Sequence, residues 1–223
     1  YGSAAVAVAA LMPLLWWRLP RFVPATQAGY GALLASMGRL WQQHAPLRRA
    51  AMAQGLLSVA FSAFWSTLAL VLAGPEFGQG SAVAGAFGLA GAAGALAAPL
   101  AGGIADRRGP QAVIRIAALL VFLSFAVQAV APASLLLLVV VAVVFDLGVQ
   151  AALVSHQSVV YSLDPASRSR LNAVLVSGMF VGMASGAALG SSLLAAWGWR
   201  AVPVLGAVAA LGAVVVSRHG RRA

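Results

Sequence analysis

Apolar residues along the chain fall into long runs that are separated by short polar segments. The hydrocarbon core of a bilayer is about 30 Å thick, and a helix needs roughly 20 apolar residues to cross it. Six runs meet this requirement: 51–73, 82–104, 111–131, 134–157, 171–196 and 202–217. A seventh apolar run, 3–17, is too short to cross alone, and we interpret it as the end of a preceding transmembrane helix. The pattern predicts an all-α, polytopic membrane protein with six transmembrane helices in residues 51–217.

The segment between the short run and the first full span, residues 18–50, is polar and is broken by three prolines. Apolar side chains within it recur at helical spacing, at Leu33, Leu34, Met37, Leu40 and Trp41. This spacing fits a helix that lies on the membrane surface. It fits a packed helix within a connecting segment equally well, so both interpretations stay open.

Composition leads to the same class of protein. The chain is 62% hydrophobic and only 8% charged, whereas soluble domains carry about 25% charged residues. Cysteine is absent, which excludes disulfides and thiolate metal sites. No cluster of histidines and carboxylates indicates a metal, and we expect no cofactor.

The charged residues predict the orientation in the membrane. All fourteen basic residues are arginines, and they give a formal net charge of +10. Except for Arg200, they lie in or beside the segments before the first span, between the second and third, between the fourth and fifth, and after the sixth. Because cytoplasmic loops are enriched in basic residues, residues 18–50 and the tail 218–223 are predicted to be cytoplasmic. This placement explains the positive charge without a nucleic-acid partner.

Polar residues are concentrated in the first and fourth spans. In the first span they recur at every fourth position and so share one helix face; they are Gln54, Ser58, Ser62 and Ser66, with Phe61 and Trp65 beside them. In the fourth span Asp146, Gln150 and Gln157 share a face. Serines in membrane helices often bond to their own backbone or mediate packing, so the serine face has two open interpretations.

Asp146 is the one acidic residue near the middle of a predicted span. A charged carboxylate at the bilayer centre costs roughly 2.5–3.5 kcal/mol even on the lenient insertion scale. It is therefore expected to be protonated, paired or in contact with water. Two readings follow: a carboxylate that carries protons or contacts substrate, or a neutral side chain that is hydrogen-bonded within the bundle.

Glycines recur at regular intervals in the second and fifth spans, as Gly85, Gly88, Gly91 and Gly94 and as Gly178, Gly182, Gly186 and Gly190. Small residues on one face allow two helix backbones to approach closely, so both faces are predicted to pack against helices.

The stretch GGIADRRG, residues 102–109, has Asp106 and Gly109 as the first and fourth of four residues, as in a type I turn. It resembles the signature loop of the major facilitator superfamily, and Gly102, Asp106, Arg107 and Gly109 match the pattern. The family pattern usually continues with further basic residues, where this chain has Pro110 and Gln111. Residues 61–107 and 145–193 also resemble helices of the branch of bacterial efflux permeases that is similar to drug:proton antiporters.

The resemblance implies the C-terminal half of a twelve-helix transporter of the bacterial inner membrane, built as two inverted three-helix repeats. Residues 18–50 would then connect the two halves. The first and fourth helices would line the cavity, the third and sixth would face lipid, and the glycine faces of the second and fifth would contact an N-terminal half that this chain lacks. Asp106 would meet the N-terminus of a helix from that half and help to hold one of two alternating states.

The implied function is export of a small molecule by alternating access, coupled to protons, with Asp146 as the proton carrier or substrate contact. An alternative is a half-transporter that pairs with a second copy of itself through the glycine faces. A remote alternative is an intramembrane hydrolase, because Ser185 precedes Gly186 as in the glycine–serine turns of such proteases. The histidines that such a hydrolase would need, His156 and His219, are poorly placed, so we expect no enzyme.

Overall fold

The computed structural model describes residues 2–18, 29–93, 97–131 and 133–218, and these residues form helices joined by short turns. The chain divides into two compact units, residues 1–34 and 35–223, which are considered separately. The helices are α1 (Gly2–Arg18), α2 (Tyr30–Gln43), α3 (Ala45–Ala73), α4 (Ser81–Ala93), α5 (Ala97–Arg108), α6 (Pro110–Val130), α7 (Leu135–Tyr161), α8 (Arg168–Trp197) and α9 (Ala201–Arg218). Within the described ranges there is no strand, which confirms the all-α prediction.

Five helices are long and apolar enough to cross a membrane: α3, α6, α7, α8 (with the short 3-10 turn Pro165–Ser167 before it) and α9. They correspond to five of the six predicted spans. The predicted span 82–104 is represented by α4 and α5, which lie on either side of residues 94–96, outside the described residues. Helix α3 begins at Ala45, so residues 45–50 belong to its first turns and not to the connecting segment. Pro46 favours this start, because proline suits the first helical turn.

In the first unit, α1 is apolar and includes Pro13 within the helix. Trp16 and Trp17 near its end are largely exposed. The prediction that this run ends a preceding transmembrane helix stays a prediction.

An aromatic cluster fixes the centre of the second unit. Phe64 of α3, Phe125 of α6 and Phe145 of α7 are completely buried. Ring centroids lie 4.8 Å apart for Phe64 and Phe145 and 4.9 Å apart for Phe125 and Phe145. Such pairs add about 0.5–1.5 kcal/mol each beyond the burial of their surface. The three helices are therefore held together at this level.

Helices α6 and α9 each bury one face and expose an apolar one. The exposed face carries residues such as Ile116 and Leu123 on α6 and Val204 and Val208 on α9. An exposed apolar helix face is suited to contact with lipid tails, as the prediction for the third and sixth spans requires.

The glycine face of α8 packs against α3 in the same chain. Cβ atoms added at Gly178, Gly182, Gly186 and Gly190 would meet the backbones of Ala51, Gly55, Val59 and Ala63 respectively. At Gly182 the added atom would lie 2.7 Å from the Gly55 carbonyl carbon and 2.9 Å from its Cα. The expectation that this ladder contacts an absent half is therefore wrong. Its partner is α3, because the small residues of both helices let their backbones touch.

The glycines of α4 are less crowded. Gly85 and Gly88 have no atom within 4 Å of an added Cβ, while Gly91 would place one 3.3 Å from the Trp65 ring. Gly94 lies outside the described residues. Gly85 and Gly88 therefore leave room for another helix to approach this face of α4.

The stretch 102–109 is helical almost to its end. Helix α5 continues through Arg107 and Arg108, both exposed, and the Gly109 N–H bonds to the Ala105 carbonyl at 2.8 Å. The predicted four-residue turn that starts at Asp106 is therefore wrong, since the chain reverses at Gly109. Its φ of +78° belongs to the region that glycine adopts without strain, and Pro110 then starts α6. The side chain of Asp106 lies outside the described part of the structure.

Candidate functional site

The candidate site lies between α3 and α7, the two helices predicted to carry polar side chains. The two helices run antiparallel, because Trp65 of α3 lies beside Asp146 of α7 while Gln54, earlier on α3, contacts His156, later on α7. These two pairs define two levels of polar contact, one near the middle of α7 and one towards its C-terminal end.

Asp146 occupies the middle level and is only 3% exposed. Its carboxyl group interacts with the indole N–H of Trp65. The geometry does not reach a formed hydrogen bond, so Trp65 Nε1 is buried without one. Phe61 completes the apolar surroundings, with its ring 6.3 Å from that of Trp65 and 6.4 Å from that of Phe145. The structure therefore places Trp65 beside Asp146, with Phe61 next to Trp65; their role in a substrate pathway stays a prediction.

The remaining predicted side chain of α7 at this level is Gln150, one turn after Asp146, and it is half-buried. Gln157, expected on the same face, instead donates to Asn172 Oδ1 of α8 at 3.4 Å. Tyr161 donates to the same oxygen at 3.0 Å. Gln157 and Tyr161 thus connect the C-terminal end of α7 to α8, away from the level of Asp146.

The polar stripe of α3 winds from the interior to the surface. Gln54 and Ser58 are buried, Ser62 is half-buried and Ser66 is exposed. Ser58 donates to the Gln54 carbonyl at 2.8 Å and Ser66 to the Ala63 carbonyl at 3.4 Å. These two hydroxyl protons are therefore used within α3, in agreement with the backbone-bonding interpretation. A hydroxyl oxygen can still accept a hydrogen bond from a ligand.

The second level contains a hydrogen bond that the sequence did not predict. Gln54 Oε1 and His156 Nδ1 lie 3.0 Å apart, and both side chains are at least 97% buried, with exposed fractions of 0% and 3%. Gln54 Nε2 is buried without a hydrogen-bond partner, and so is the hydroxyl of Ser155, the residue before His156. Gln54 was identified by its helix face, but nothing in the local sequence around His156 marks it as the partner.

The arrangement supplies no centre for metal or hydrolytic chemistry among the residues that the structure describes. No group of three potential metal ligands occurs there. The Ser185 hydroxyl donates to the Val181 carbonyl at 2.8 Å, and His156 is bonded to Gln54. The serine and this histidine therefore belong to separate contacts, and the hydrolase alternative gains no support from them.

Long apolar helices, a close-packed glycine contact and a buried carboxylate in the middle of a helix together define a multi-pass membrane protein with a polar interior. Residues 56–222 match the Major Facilitator Superfamily. This match covers well over half of the chain, and the chain belongs to that family. Membership favours a transporter over an enzyme.

Named relatives agree with this assignment. The chain is 36% identical over 203 residues to "Uncharacterized transporter YgaY" of Escherichia coli O157:H7, an alignment of 91% of this chain and 52% of the relative. It is 35% identical over 185 residues to "Probable transporter SCO4007" of Streptomyces coelicolor, covering 82% of this chain and 43% of the relative. The chain thus spans about half the length of the curated relatives it matches.

Proposed function

We propose that the protein is a secondary transporter that exports a small molecule by alternating access, driven by protons that enter the cell. The observation that carries the proposal is Asp146, a carboxyl group that is buried in the middle of α7 and faces the indole of Trp65. A charged carboxyl group there is costly unless it is protonated, paired or in contact with water, because burial disfavours the charged form, so its presence favours a functional role.

In this proposal Asp146 exchanges a proton when the cavity opens to either side of the membrane. Phe61 and Trp65 supply an apolar wall for the substrate. Gln150, Ser62 and Ser66 are partly accessible and supply hydrogen-bonding groups, whereas Gln54 and Ser58 act from deeper positions. The remaining part of the site lies on a second half, since transporters of this kind bind substrate between two six-helix bundles.

We also propose that this second half precedes residues 18–50, and that it is the partner of the signature stretch Gly102, Asp106, Arg107 and Gly109. The relatives are about twice as long as the matched region, which supports a larger assembly. Pairing of two identical copies through the α8 glycines is disfavoured, because α3 already covers them.

The test is transport by the full-length protein in everted membrane vesicles, where uptake reports export. A panel of cationic dyes, sugars and amino acids is offered with and without an imposed pH gradient. We expect Asp146→Asn to abolish proton-driven uptake of the transported compound. Glu76→Gln, which removes an exposed carboxylate from the segment between α3 and α4, is the matched control and should retain it. Unchanged proton-driven uptake in Asp146→Asn would remove that carboxyl group from the mechanism.

Trp65→Phe tests the neighbour of Asp146. The variant keeps an aromatic side chain but loses the five-membered part of the indole, including the N–H that has no formed hydrogen bond. Thermal stability is measured alongside to separate the effect of the smaller ring, and the pH profile of transport should change. An unchanged profile would mean that the indole N–H has no role in proton exchange.

A further inference from the structure

A cavity lies in the bundle, at the end where α3 and α6 begin and α7 and α9 end. Its volume is about 100 Å³, and its polar lining consists of Arg49, Gln111, His156 and Ser217. The arginine distribution predicts that this end is cytoplasmic. The cavity is separate from the Asp146 level, because His156 is ten positions further along α7, roughly 15 Å at 1.5 Å per residue.

The charge of this cavity favours an anion. Arg49 contributes a permanent positive charge, and its Nε donates to the Ala45 carbonyl at 3.4 Å, which holds the guanidinium against the first turn of α3. Pro46 and Gln111, the second residues of α3 and α6, both line the cavity, so two helix N-termini with their partial positive charges border it. Of the described residues in the lining, none is acidic.

His156 supplies the group that is still unpaired. Its ring lines the cavity, and Nδ1 is occupied by Gln54 Oε1. The other ring nitrogen, Nε2, forms no hydrogen bond within the described chain, although the side chain is only 3% exposed. If the Gln54 amide is reversed, its NH₂ donates to Nδ1 and the proton of the imidazole is carried on Nε2, where it can be donated to a ligand.

We propose that this cavity binds a phosphate-type oxyanion through Arg49, the Gln111 amide and the Nε2–H that His156 carries when the Gln54 NH₂ donates to Nδ1. The volume is about that of three water molecules at roughly 30 Å³ each, enough for one tetrahedral phosphate group. Arginine matches the paired oxygens of such a group in charge and geometry. The phosphate belongs either to the headgroup of an anionic phospholipid or to a free cytoplasmic anion. This site is independent of the proposed transport activity.

The experiment measures binding to the purified full-length protein in two arms. In the first, inorganic phosphate is titrated against detergent-solubilised protein at constant ionic strength, and the shift of the thermal unfolding midpoint is followed. In the second, native mass spectrometry counts phosphatidylglycerol molecules retained from nanodiscs of mixed phosphatidylcholine and phosphatidylglycerol. Binding in the first arm identifies a free anion, and binding in the second arm alone identifies a lipid headgroup.

Arg49→Gln should weaken binding of the active probe by about tenfold, the usual effect of losing one charge-assisted contact. Arg49→Lys, which keeps the charge, should recover part of it. Arg39→Gln removes the same charge from an exposed position on α2 and should bind like the parent protein. Absence of saturable binding in both arms, or equal affinities for Arg49→Gln and Arg39→Gln, would overturn the proposal.

Discussion

Gln54 Oε1 of α3 and His156 Nδ1 of α7 lie 3.0 Å apart in the interior of the bundle, although 102 residues separate them in sequence. Both side chains are buried. A hydrogen bond that joins two helices in an apolar interior fixes their rotation and register, because each partner is costly to leave unpaired. It also connects the polar stripe of α3 to the cavity near the helix ends.

The first prediction concerns this pair. Gln54→Leu and His156→Leu should each lower the free energy of unfolding by about 1–3 kcal/mol, because each leaves a buried polar group without its partner. The double variant should cost less than the sum of the two. The expected coupling is about 0.6–1.7 kcal/mol, the range for hydrogen bonds between membrane helices. A thermal or denaturant unfolding cycle on the four proteins measures it, and strictly additive losses would contradict the contact.

A second prediction addresses the α3–α8 contact. Gly182→Ala places a methyl group against the Gly55 backbone, which cannot rotate away as a side chain could. The helices must separate, and we expect a loss of about 1–3 kcal/mol in stability. The control is Gly88→Ala on α4, where an added Cβ has nothing within 4 Å and alanine should be neutral or favourable in a helix. Equal thermal midpoints for the two variants would show that α8 can shift freely.

A third prediction uses the turn between α7 and α8, where Asp164 accepts a hydrogen bond from the Ala166 N–H at 3.0 Å. The Ser167 hydroxyl, this backbone N–H and the charges of Arg170 and His44 hold the pKa of Asp164 below its usual value. Because the folded pKa is lower than the unfolded one, the carboxylate stabilises the fold above the unfolded pKa of about 3.9, and this contribution disappears as the pH falls through the folded pKa.

The Asp164→Ala variant should therefore unfold at a lower temperature than the parent protein at pH 7, and the difference should shrink below about pH 4. Melting curves across this pH range provide the measurement. Glu76→Ala, which removes an exposed carboxylate from the segment between α3 and α4, serves as the comparison and should melt close to the parent protein at pH 7. A difference in melting temperature between Asp164→Ala and the parent protein that stays constant down to low pH would exclude a contribution from the charge of Asp164.

The orientation in the membrane leads to a fourth prediction. The chain has no cysteine, so each introduced thiol is the single one in this part of the protein. Ser162 lies after α7 and Glu76 after α3, and both are exposed. An impermeant maleimide should label Ser162→Cys in inside-out vesicles and Glu76→Cys in right-side-out vesicles. The reverse labelling would place the arginine-rich end outside and contradict the charge rule.

Features that depend on one helix were predictable from the sequence. Run lengths located the spans, and the four-residue spacing placed Gln54 and Ser58 on a buried face. The polar faces of the first and fourth spans also identified α3 and α7 as the helices that carry Gln54, Trp65 and Asp146. These inferences need only the period of the helix and the thickness of the membrane.

Features that depend on how two helices meet were not predictable. His156 was recognisable as a polar residue in an apolar helix, but the rotation of α7 that turns it towards Gln54 is set by packing elsewhere. The α8 glycines indicated a close helix contact without indicating α3 as the partner. The turn at Gly109 was misplaced because Asp106 and Gly109 have the residue types of a four-residue turn. Glycine with a positive φ is also the common residue at the end of a helix, and in this structure α5 ends there.

The backbone contact between α3 and α8 has a mechanical consequence. Interlocked backbones resist sliding, since movement along the helix axis drives Cα atoms of one helix into carbonyl groups of the other. Helix α3, which carries Phe61 and Trp65, is consequently expected to move together with α8. In the proposed transport cycle, α3 and α8 are therefore expected to move as one rigid unit, together with the turn at Asp164 that precedes α8.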